Sequence, residues 1–241
     1  MPTRLPSLLD RVLLFAHRGA RANEKENSRA AFELALRLGA TALQADVWLT
    51  ADGQPVLDRT GTVRRFPRKP IGAVARADVD GRLDLADLVD VAATAGVDIR
   101  LALGDESNAA VDAVLDAARP HGWASRIWLA HRDLEVLSEW RDRGPALRLI
   151  NATTKDDMPF GAERRAAELA AARVDALALP ESEWTGGLVT LVHRFDICAF
   201  ADGAHYERQL ARVIDMGVDA VSGDHVERMA AVAATFEDSD V

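Results

Sequence analysis

The sequence predicts a single α/β domain folded as a (β/α)8 TIM barrel. Short apolar runs alternate with amphipathic runs along the whole chain, eight such pairs can be counted, and no linker divides the 241 residues. Strands that alternate with helices form a parallel sheet, and eight β–α units match the usual barrel size of about 250 residues. We therefore predict one barrel domain, residues 1–241, with a short acidic tail at residues 235–241.

The eight predicted strands are short apolar runs spread along the chain. They cover residues 13–17, 42–48, 98–103, 126–130, 146–151, 175–180, 196–201 and 219–224. The runs between them carry apolar residues at helical spacing, as in residues 31–38 before the second strand. A doubly wound open sheet is the alternative for this pattern, but no glycine-rich phosphate loop follows the first strand to support it.

The composition is that of a globular protein with an acidic surface. Apolar residues make up 49% of the chain and charged residues 28%, and the net charge of −9 argues against general nucleic-acid binding. The single cysteine, Cys198, lies in an apolar run and cannot form an internal disulfide. Asp10 and Arg11 interrupt the N-terminal apolar run, which is too short for a membrane span. We expect a cytoplasmic protein of undefined oligomeric state.

One stretch departs from the acidic average. Residues 59–76 contain six basic residues and no acidic residue, which is typical either of a solvated loop or of a collar for an anionic ligand. In a (β/α)8 barrel the active face lies at the carboxyl ends of the strands. His17 and Arg18 end the first strand, Asp46 lies near the end of the second, and the basic stretch follows at the same end. This placement favours an anion site.

Several motifs occur together at characteristic spacings. His17-Arg18-Gly19 ends the first strand, and Glu26-Asn27-Ser28 precedes the first helix. The segments "AAFELALRLGATALQADVWLTADGQPV" and "GVDAVSGDHVERM" follow near the beginning and the end of the chain. In this combination the chain resembles the glycerophosphodiester phosphodiesterase family over nearly its whole length.

The resemblance implies a specific chemistry. A Glu-x-Asp pair on strand two and a Glu on strand three hold a divalent metal, two histidines act as acid and base, and an arginine and a lysine hold the phosphate. A glycerol hydroxyl attacks its own phosphorus, and the alcohol leaves. By position, His17 is the first catalytic histidine and Arg18 the phosphate arginine, with Glu26 and Asn27 on the substrate-binding side.

Other positions depart from the family pattern. The Glu-x-Asp pair reads Gln44-Ala45-Asp46, the second histidine falls on Arg59, and the Glu-x-Lys of strand three falls on Ala102 and Gly104. Asp46 is thus the only family carboxylate left for a metal. Arg59 stays protonated near neutral pH and cannot serve as acid or base, although it could bind substrate beside Arg18. We therefore expect no cofactor, and Mg²⁺ or Ca²⁺ only at a remodelled site.

Further residues at the predicted active face could complete a site. Asp58, Asp105 and Glu106 are possible substitute metal ligands, although acids at a helix start are also favoured by the helix dipole. Trp184 follows the sixth strand and is a candidate wall for a substrate pocket. His131 follows the fourth strand, either as a replacement acid or as a polar strand end.

Three functions remain open from the sequence. The first is a pseudoenzyme that binds a small phosphate or phosphodiester ligand through His17, Arg18 and Arg59. The second is an active metal-dependent phosphoric diester hydrolase that acts on glycerophosphodiesters in lipid metabolism with a remodelled metal site. The third is a scaffold or interaction protein with an inert barrel mouth. Whether Arg18 and Arg59 point into one pocket separates the first from the third.

Overall fold

The computed structural model describes residues 5–63 and 68–237, and within them the chain forms a closed barrel of eight parallel strands surrounded by eight α-helices. The barrel strands are β1 (Leu13–His17), β2 (Ala42–Leu49), β6 (Asp98–Leu103), β7 (Ile127–His131), β8 (Arg148–Ala152), β9 (Ala176–Pro180), β10 (Cys198–Asp202) and β11 (Ala220–Gly223). The helices are α1 (Arg29–Arg37), α2 (Leu85–Ala95), α3 (Asn108–Ala118), α4 (Leu134–Arg143), α5 (Ala162–Ala171), α6 (Gly186–His193), α7 (Glu207–Asp215) and α8 (Val226–Glu237).

The strand order confirms the predicted barrel. The sheet runs β1-β11-β10-β9-β8-β7-β6-β2, and β1 pairs with β2 to close the ring. Three short strands were not predicted: β3 (Pro55–Leu57), β4 (Thr62–Val63) and β5 (Lys69–Pro70). β3 pairs antiparallel with the carboxyl half of β2, so the loop that follows it returns to the barrel mouth beside β1.

Two apolar layers hold the barrel together. The larger layer lies between the strands and the helices, and a smaller layer fills the barrel interior. Phe200 packs inside against Phe15 and Trp128, with ring centroids 5.7 and 4.9 Å apart. Ala42 belongs to this inner layer, and because side chains alternate along a strand, the following even-numbered residues of β2 also face the barrel interior and its mouth.

An ion pair crosses the barrel interior above the aromatic layer. Arg100 of β6 is buried and donates from Nη1 and Nη2 to the two carboxylate oxygens of Asp202 on β10, at 2.5 and 2.7 Å. The hydroxyl of Ser222 also donates to Asp202, at 2.9 Å. This bidentate pair connects two strands on opposite sides of the barrel and forms part of the floor of the mouth.

The carboxyl end of the chain continues the last helix. Helix α8 runs to Glu237, and residues 238–241 of the predicted acidic tail lie outside the described residues. In the part of the chain that the structure describes, no helix is both long enough and apolar enough to cross a membrane.

Candidate functional site

The turn after β1 places two consecutive residues in the left-handed backbone region. Arg18 has a φ of 59° and Gly19 a φ of 78°. This conformation costs roughly 1–2 kcal/mol for a residue other than glycine, so the packing around Arg18 must hold it there. A Cβ on Gly19 would lie 2.7 Å from the carbonyl carbon of Ala31 in α1. Glycine is therefore required where the first helix crosses the turn.

The loop from Glu26 to Ser28 returns to the same turn. The Asn27 N–H donates to the Arg18 carbonyl at 3.0 Å, and Asn27 is itself buried with a φ of 55°. The Ser28 hydroxyl accepts from the Ala31 N–H at 3.1 Å and caps α1. These contacts fix the backbone of Arg18 and place Glu26 beside its side chain.

Four charged side chains meet at this point of the mouth. Arg18 donates from Nε to Asp46 Oδ2 at 2.5 Å, and its Nη1 lies 3.5 Å from Glu26 Oε2. The other oxygen of Glu26 lies 3.6 Å from Arg59 Nε. The structure thus brings Arg18 and Arg59 to the same carboxylate. Arg59 is 55% exposed and Glu26 34%, whereas Arg18 is only 13% exposed.

His17 lies on the other side of Arg18, next to the last strand. Its Nδ1 is 3.0 Å from Asp224 Oδ1, and Arg21 Nε lies 3.6 Å from the same oxygen. The carboxylate assigns the ring proton to Nδ1 and leaves the Nε2 lone pair as an acceptor. Burial is the main cause that lowers the pKa of His17 below its ordinary 6.5, with a contribution from Arg18, although the bond to Asp224 opposes the shift. His17 is therefore neutral at pH 7.

On the β2 and β6 side of the mouth, fewer of the buried polar atoms form hydrogen bonds. In the strand register Gln44 lies between His17 and Arg100, and Asp46 lies opposite Ala102. Gln44 Oε1 and Arg100 Nε are both buried without a hydrogen-bond partner among the described residues. An unmade hydrogen bond of this kind costs about 1–3 kcal/mol. The side chain of Ala102 has no polar atom to offer a ligand or a metal.

The indole of Trp48 fills the remainder of this side. Its Nε1 donates to the Asp58 carbonyl at 2.8 Å. A Cβ on Gly104 would lie 2.4 Å from the indole ring, and a Cβ on Gly61 would lie 2.6 Å from it. The ring is thus held between two glycines, and any side chain at position 104 requires Trp48 to move.

The predicted substitute carboxylates serve local structure. Asp58 accepts from the backbone and hydroxyl of Thr60, at 2.7 and 2.9 Å, and from Arg82 Nε at 2.9 Å. Burial opposes ionisation of Asp58, but these hydrogen bonds outweigh it and lower its pKa. Asp105 accepts from the Ser107 N–H at 2.8 Å, in the turn that leads into α3.

Glu106 and His131 are paired with each other. His131 Nε2 lies 2.8 Å from Glu106 Oε1, and its Nδ1 accepts from the Asp133 N–H at 3.0 Å. The imidazole packs edge-on against Trp140, with ring centroids 5.3 Å apart. Since both ring nitrogens have partners, this geometry fits the polar strand end better than a replacement acid.

Trp184 does not reach the mouth, contrary to its predicted contact with the substrate. It has no exposed surface, and its indole donates to the Phe200 carbonyl at 2.9 Å. The residue belongs to the layer between strands and helices. A short 3₁₀ turn at Glu181–Glu183 directs the chain away from the barrel axis before Trp184, and this turn carries no strong sequence signal.

The basic stretch of residues 59–76 divides into parts with different surroundings. Arg59 lies in the charged cluster at the mouth, and Arg68 is exposed nearby. Arg76 donates to Asp84 at 2.6 Å and to two backbone carbonyls, which is a structural role. Arg64 and Arg65 lie outside the described residues.

Residues 17–66 match the Glycerophosphoryl diester phosphodiesterase family. A 56-residue segment is 45% identical to Glycerophosphodiester phosphodiesterase 1 of Rattus norvegicus, and this segment covers 23% of the chain and 17% of that relative. The predicted resemblance to the glycerophosphodiester phosphodiesterases is confirmed over this segment. The matched segment contains His17, Arg18, Glu26, Asp46 and Arg59.

Solved structures related to the glycerophosphodiester phosphodiesterases extend the likeness in fold to the whole chain. One, described as a candidate glycerophosphoryl diester phosphodiesterase from Silicibacter pomeroyi, has a TM-score of 0.83 at 20% identity and covers 96% of both chains. Another, an Oleispira antarctica phosphodiesterase in complex with the product sn-glycerol-3-phosphate, has a TM-score of 0.79 at 18% identity and covers 92% of this chain and 96% of the other.

The side chains at the mouth do not fit the divalent-metal site that is usual in glycerophosphodiester phosphodiesterases. Within residues 5–63 and 68–237, no group of three or more His, Cys, Asp or Glu side chains is placed to hold a metal ion. Asp46 is paired with Arg18, and Gln44 contributes only a neutral amide oxygen. Hard cations prefer several charged oxygen ligands, so we derive no catalytic step through a metal.

Several residues of the site were missed or misjudged from the sequence. The contact of Asp224 with His17 could have been predicted, because β1 and the last strand are neighbours in a closed barrel. No sequence motif marks Arg21 as the second partner of Asp224. The packing of Trp48 between two glycines depends on the return of the β3 loop, which no local pattern in the sequence indicates.

Proposed function

We propose that the protein binds a small phosphate or phosphodiester ligand at the barrel mouth and does not carry out the metal-dependent hydrolysis typical of its relatives. The observation that carries this proposal is the convergence of Arg18 and Arg59 on the two oxygens of Glu26. A carboxylate held between two guanidinium groups marks a position that a phosphoryl group can take.

The proposed binding step exchanges one anion for another. Glu26 lies on a loop and is partly exposed, and its contacts with the two arginines are 3.5 and 3.6 Å long. A phosphate oxygen that replaces the Glu26 carboxylate can form shorter, charge-assisted bonds with Arg59 and with Arg18. Asp46 continues to hold the Arg18 guanidinium in place through Nε. The complex of a relative with sn-glycerol-3-phosphate supports a ligand of this size and charge.

His17 has a defined role in this proposal. Its neutral ring presents the Nε2 lone pair, which accepts a hydrogen bond from a ligand hydroxyl and not from an anionic oxygen. A phosphodiester that carries a glycerol hydroxyl beside the phosphate satisfies both requirements. The site therefore favours a glycerophosphodiester or glycerol phosphate over inorganic phosphate alone.

The same residues are a poor set for hydrolysis. His17 can accept the proton of an attacking hydroxyl, but Arg59 cannot donate a proton to the leaving alkoxide. The lack of one acid–base group typically costs about 10²–10⁴ in rate. The absence of a fitting metal site among the described residues removes further stabilisation of the charged phosphoryl oxygens. This supports a binding function and argues against turnover.

Isothermal titration with sn-glycerol 3-phosphate in the presence of EDTA tests the proposal. The wild type should bind with a dissociation constant of millimolar or below, and Arg59→Gln should weaken binding by about tenfold, the loss of one charge-assisted contact. Arg132→Gln is the matched control, because the Arg132 side chain is 73% exposed and its guanidinium contacts only Asp157, at 3.5 Å, among the described residues. Absence of binding by the wild type at millimolar ligand would refute the proposal.

A further inference from the structure

A basic cleft adjoins the charged cluster at the mouth. It has a volume of about 660 Å³ and is lined by four basic side chains, Lys25, Arg59, Arg68 and Arg82, and by two acidic ones, Glu26 and Asp58. Glu26 and Arg59 belong both to the cleft and to the charged cluster, so the two spaces are continuous. Arg18 does not line the cleft, which places the cleft on the far side of Glu26.

The acidic side chains of the basic cleft are already neutralised by protein groups. Asp58 Oδ2 accepts from Arg82, and its Oδ1 accepts from the backbone of Thr60 and Gly61. Glu26 lies between two arginines. Asp58 therefore does not compete strongly with an incoming anion for the remaining basic groups. Glu26, which the first phosphate displaces, is one carboxylate beside the three cations Lys25, Arg68 and Arg82.

Two cations of the basic cleft have few partners in the protein. Among the described residues, the Lys25 ammonium donates only to the carbonyl of Gly81, at 3.5 Å, and no ion pair involves Arg68. Arg82 combines its bond to Asp58 with contacts to two backbone carbonyls, so it is fixed in place. The cleft thus presents two available cations beside a rigid one.

We infer that the basic cleft is a second anionic subsite, and that the ligand is a glycerophosphodiester whose alcohol side carries a further phosphate group. This inference rests on the proposed function, since the first phosphate occupies the position between Arg18 and Arg59. The second phosphate then lies between Lys25 and Arg68, with Arg82 behind it. The volume of the cleft is within the range of about 300–1,000 Å³ that is usual for small-molecule sites.

The subsite also predicts which headgroups are rejected. A choline group carries a positive charge and would be placed among Lys25, Arg68 and Arg82. Like charges brought together in a cleft weaken binding, whereas a phosphate monoester with about two negative charges gains from the same field. We therefore expect discrimination by headgroup charge more than by headgroup size.

Three ligands that share the glycerophosphodiester linkage test this inference by titration calorimetry in EDTA. They are glycerophosphoinositol, glycerophosphoinositol 4-phosphate and glycerophosphocholine. We expect the 4-phosphate to bind the wild type about tenfold or more tightly than glycerophosphoinositol, and glycerophosphocholine to bind most weakly. The double variant Lys25→Gln with Arg68→Gln should remove most of this gain and leave the binding of glycerophosphoinositol within about threefold.

The matched control removes one lysine and one arginine at positions away from the basic cleft. Lys155→Gln with Arg208→Gln changes one exposed lysine and one exposed arginine away from the basic cleft, and it should preserve the gain. Thermal unfolding of both double variants checks that each is folded.

Each other outcome overturns the inference in a recognisable way. If glycerophosphoinositol and its 4-phosphate bind equally, the second subsite is wrong while the proposed function stands. If the Lys25→Gln, Arg68→Gln variant still binds the 4-phosphate more tightly than glycerophosphoinositol, the second phosphate lies elsewhere. The second subsite is then wrong, while the proposed function stands. If glycerophosphocholine binds as tightly as the 4-phosphate, charge selection is refuted. Failure of all three ligands to bind the wild type overturns the proposed function, and the second subsite with it.

Discussion

On one side of the barrel mouth the loop after β1 holds its charged side chains in pairs, whereas on the other side β2 and β6 present an indole, small residues and an unpaired amide. Arg18 has two carboxylate neighbours and His17 has one. Within residues 5–63 and 68–237, Gln44 Oε1 has no hydrogen-bond partner, and Trp48 covers Gly104. Ion pairs hold the side chains of the first side in place, whereas the packing of Trp48 against glycines determines the second side.

The residues on the second side, which depart from the family pattern, depend on one another for their packing. Trp48 requires glycine at positions 61 and 104, so a lysine at 104 and the indole exclude each other in the present arrangement. Gln44 lies beside Arg100 of the Arg100–Asp202 pair in the strand register, so a change at position 44 also alters the surroundings of that pair. Under our proposal, this side was repacked as a unit around a site that no longer needs a metal.

The largest expected effect comes from a change of the second side back to the family pattern. The variant Gln44→Glu, Arg59→His, Ala102→Glu and Gly104→Lys, combined with Trp48→Ala to make room, should hydrolyse glycerophosphoinositol with Mg²⁺ at least about 10²-fold faster than the wild type. Release of inositol measures this.

The four-residue variant without Trp48→Ala is its control. It should unfold at a lower temperature, because the lysine introduced at position 104 would meet the indole. A folded five-residue variant with no activity would show that these positions are not sufficient for hydrolysis on this scaffold, against the proposed role of the changes at 44, 59, 102 and 104.

On the first side, Gly19→Ala should destabilise the protein by about 3 kcal/mol. The new Cβ would lie 2.7 Å from the backbone of Ala31, and its φ of 78° adds strain. Gly53→Ala is the matched control, because Gly53 has a φ of 75° with nothing near its Cβ, and it should cost only about 1 kcal/mol. Urea unfolding compares the two variants, and equal losses would contradict a tight crossing of α1 and the turn.

A smaller effect is expected at the packed indole. Gly104→Ala should cost about 1–3 kcal/mol in the wild type and much less in a Trp48→Ala background, because the clash depends on the ring. A double-mutant cycle from urea unfolding gives the coupling energy between the two positions. Additive effects would mean that the indole can move aside freely, and the interdependence argued above would fail.

The smallest effect concerns the protonation of His17. Its pKa should lie below 6.5 in the folded protein, and Asp224→Asn should lower it further, because the carboxylate favours the charged ring. The unfolded chain binds the proton more readily, so this histidine contributes stability above about pH 6.5 that is lost as the pH falls through the folded pKa. NMR titration of the ring measures both pKa values, and a wild-type pKa above 6.5 would contradict the burial of His17.

The sequence predicted the barrel closely because its strands repeat with a regular apolar pattern. The eight predicted strands agree with the observed ones within about two residues at each end. The short strands β3, β4 and β5 were missed, since two or three residues are too few to show a period. The return of the chain to the mouth after β3 therefore had to come from the structure.

The candidate site was partly predictable for the same reason. Residues at strand ends, such as His17, Arg18 and Asp46, share the active face in any parallel barrel, and the structure brings them together. Pairing between side chains was not predictable, because the Arg18–Asp46 and Arg100–Asp202 contacts depend on rotamers and on distances across the barrel. The burial of Trp184 depends likewise on a turn that the sequence does not signal.

The most direct test of the account is hydrolysis of glycerophosphoinositol by the wild type, followed by release of inositol. Parallel reactions should contain Mg²⁺, Ca²⁺, Mn²⁺ or EDTA. We expect no turnover above the EDTA control in any of them, from the same protein preparation that binds sn-glycerol 3-phosphate. Turnover that depends on one of the metals would contradict it, because the mouth would then hold a working metal site with ligands other than those described here.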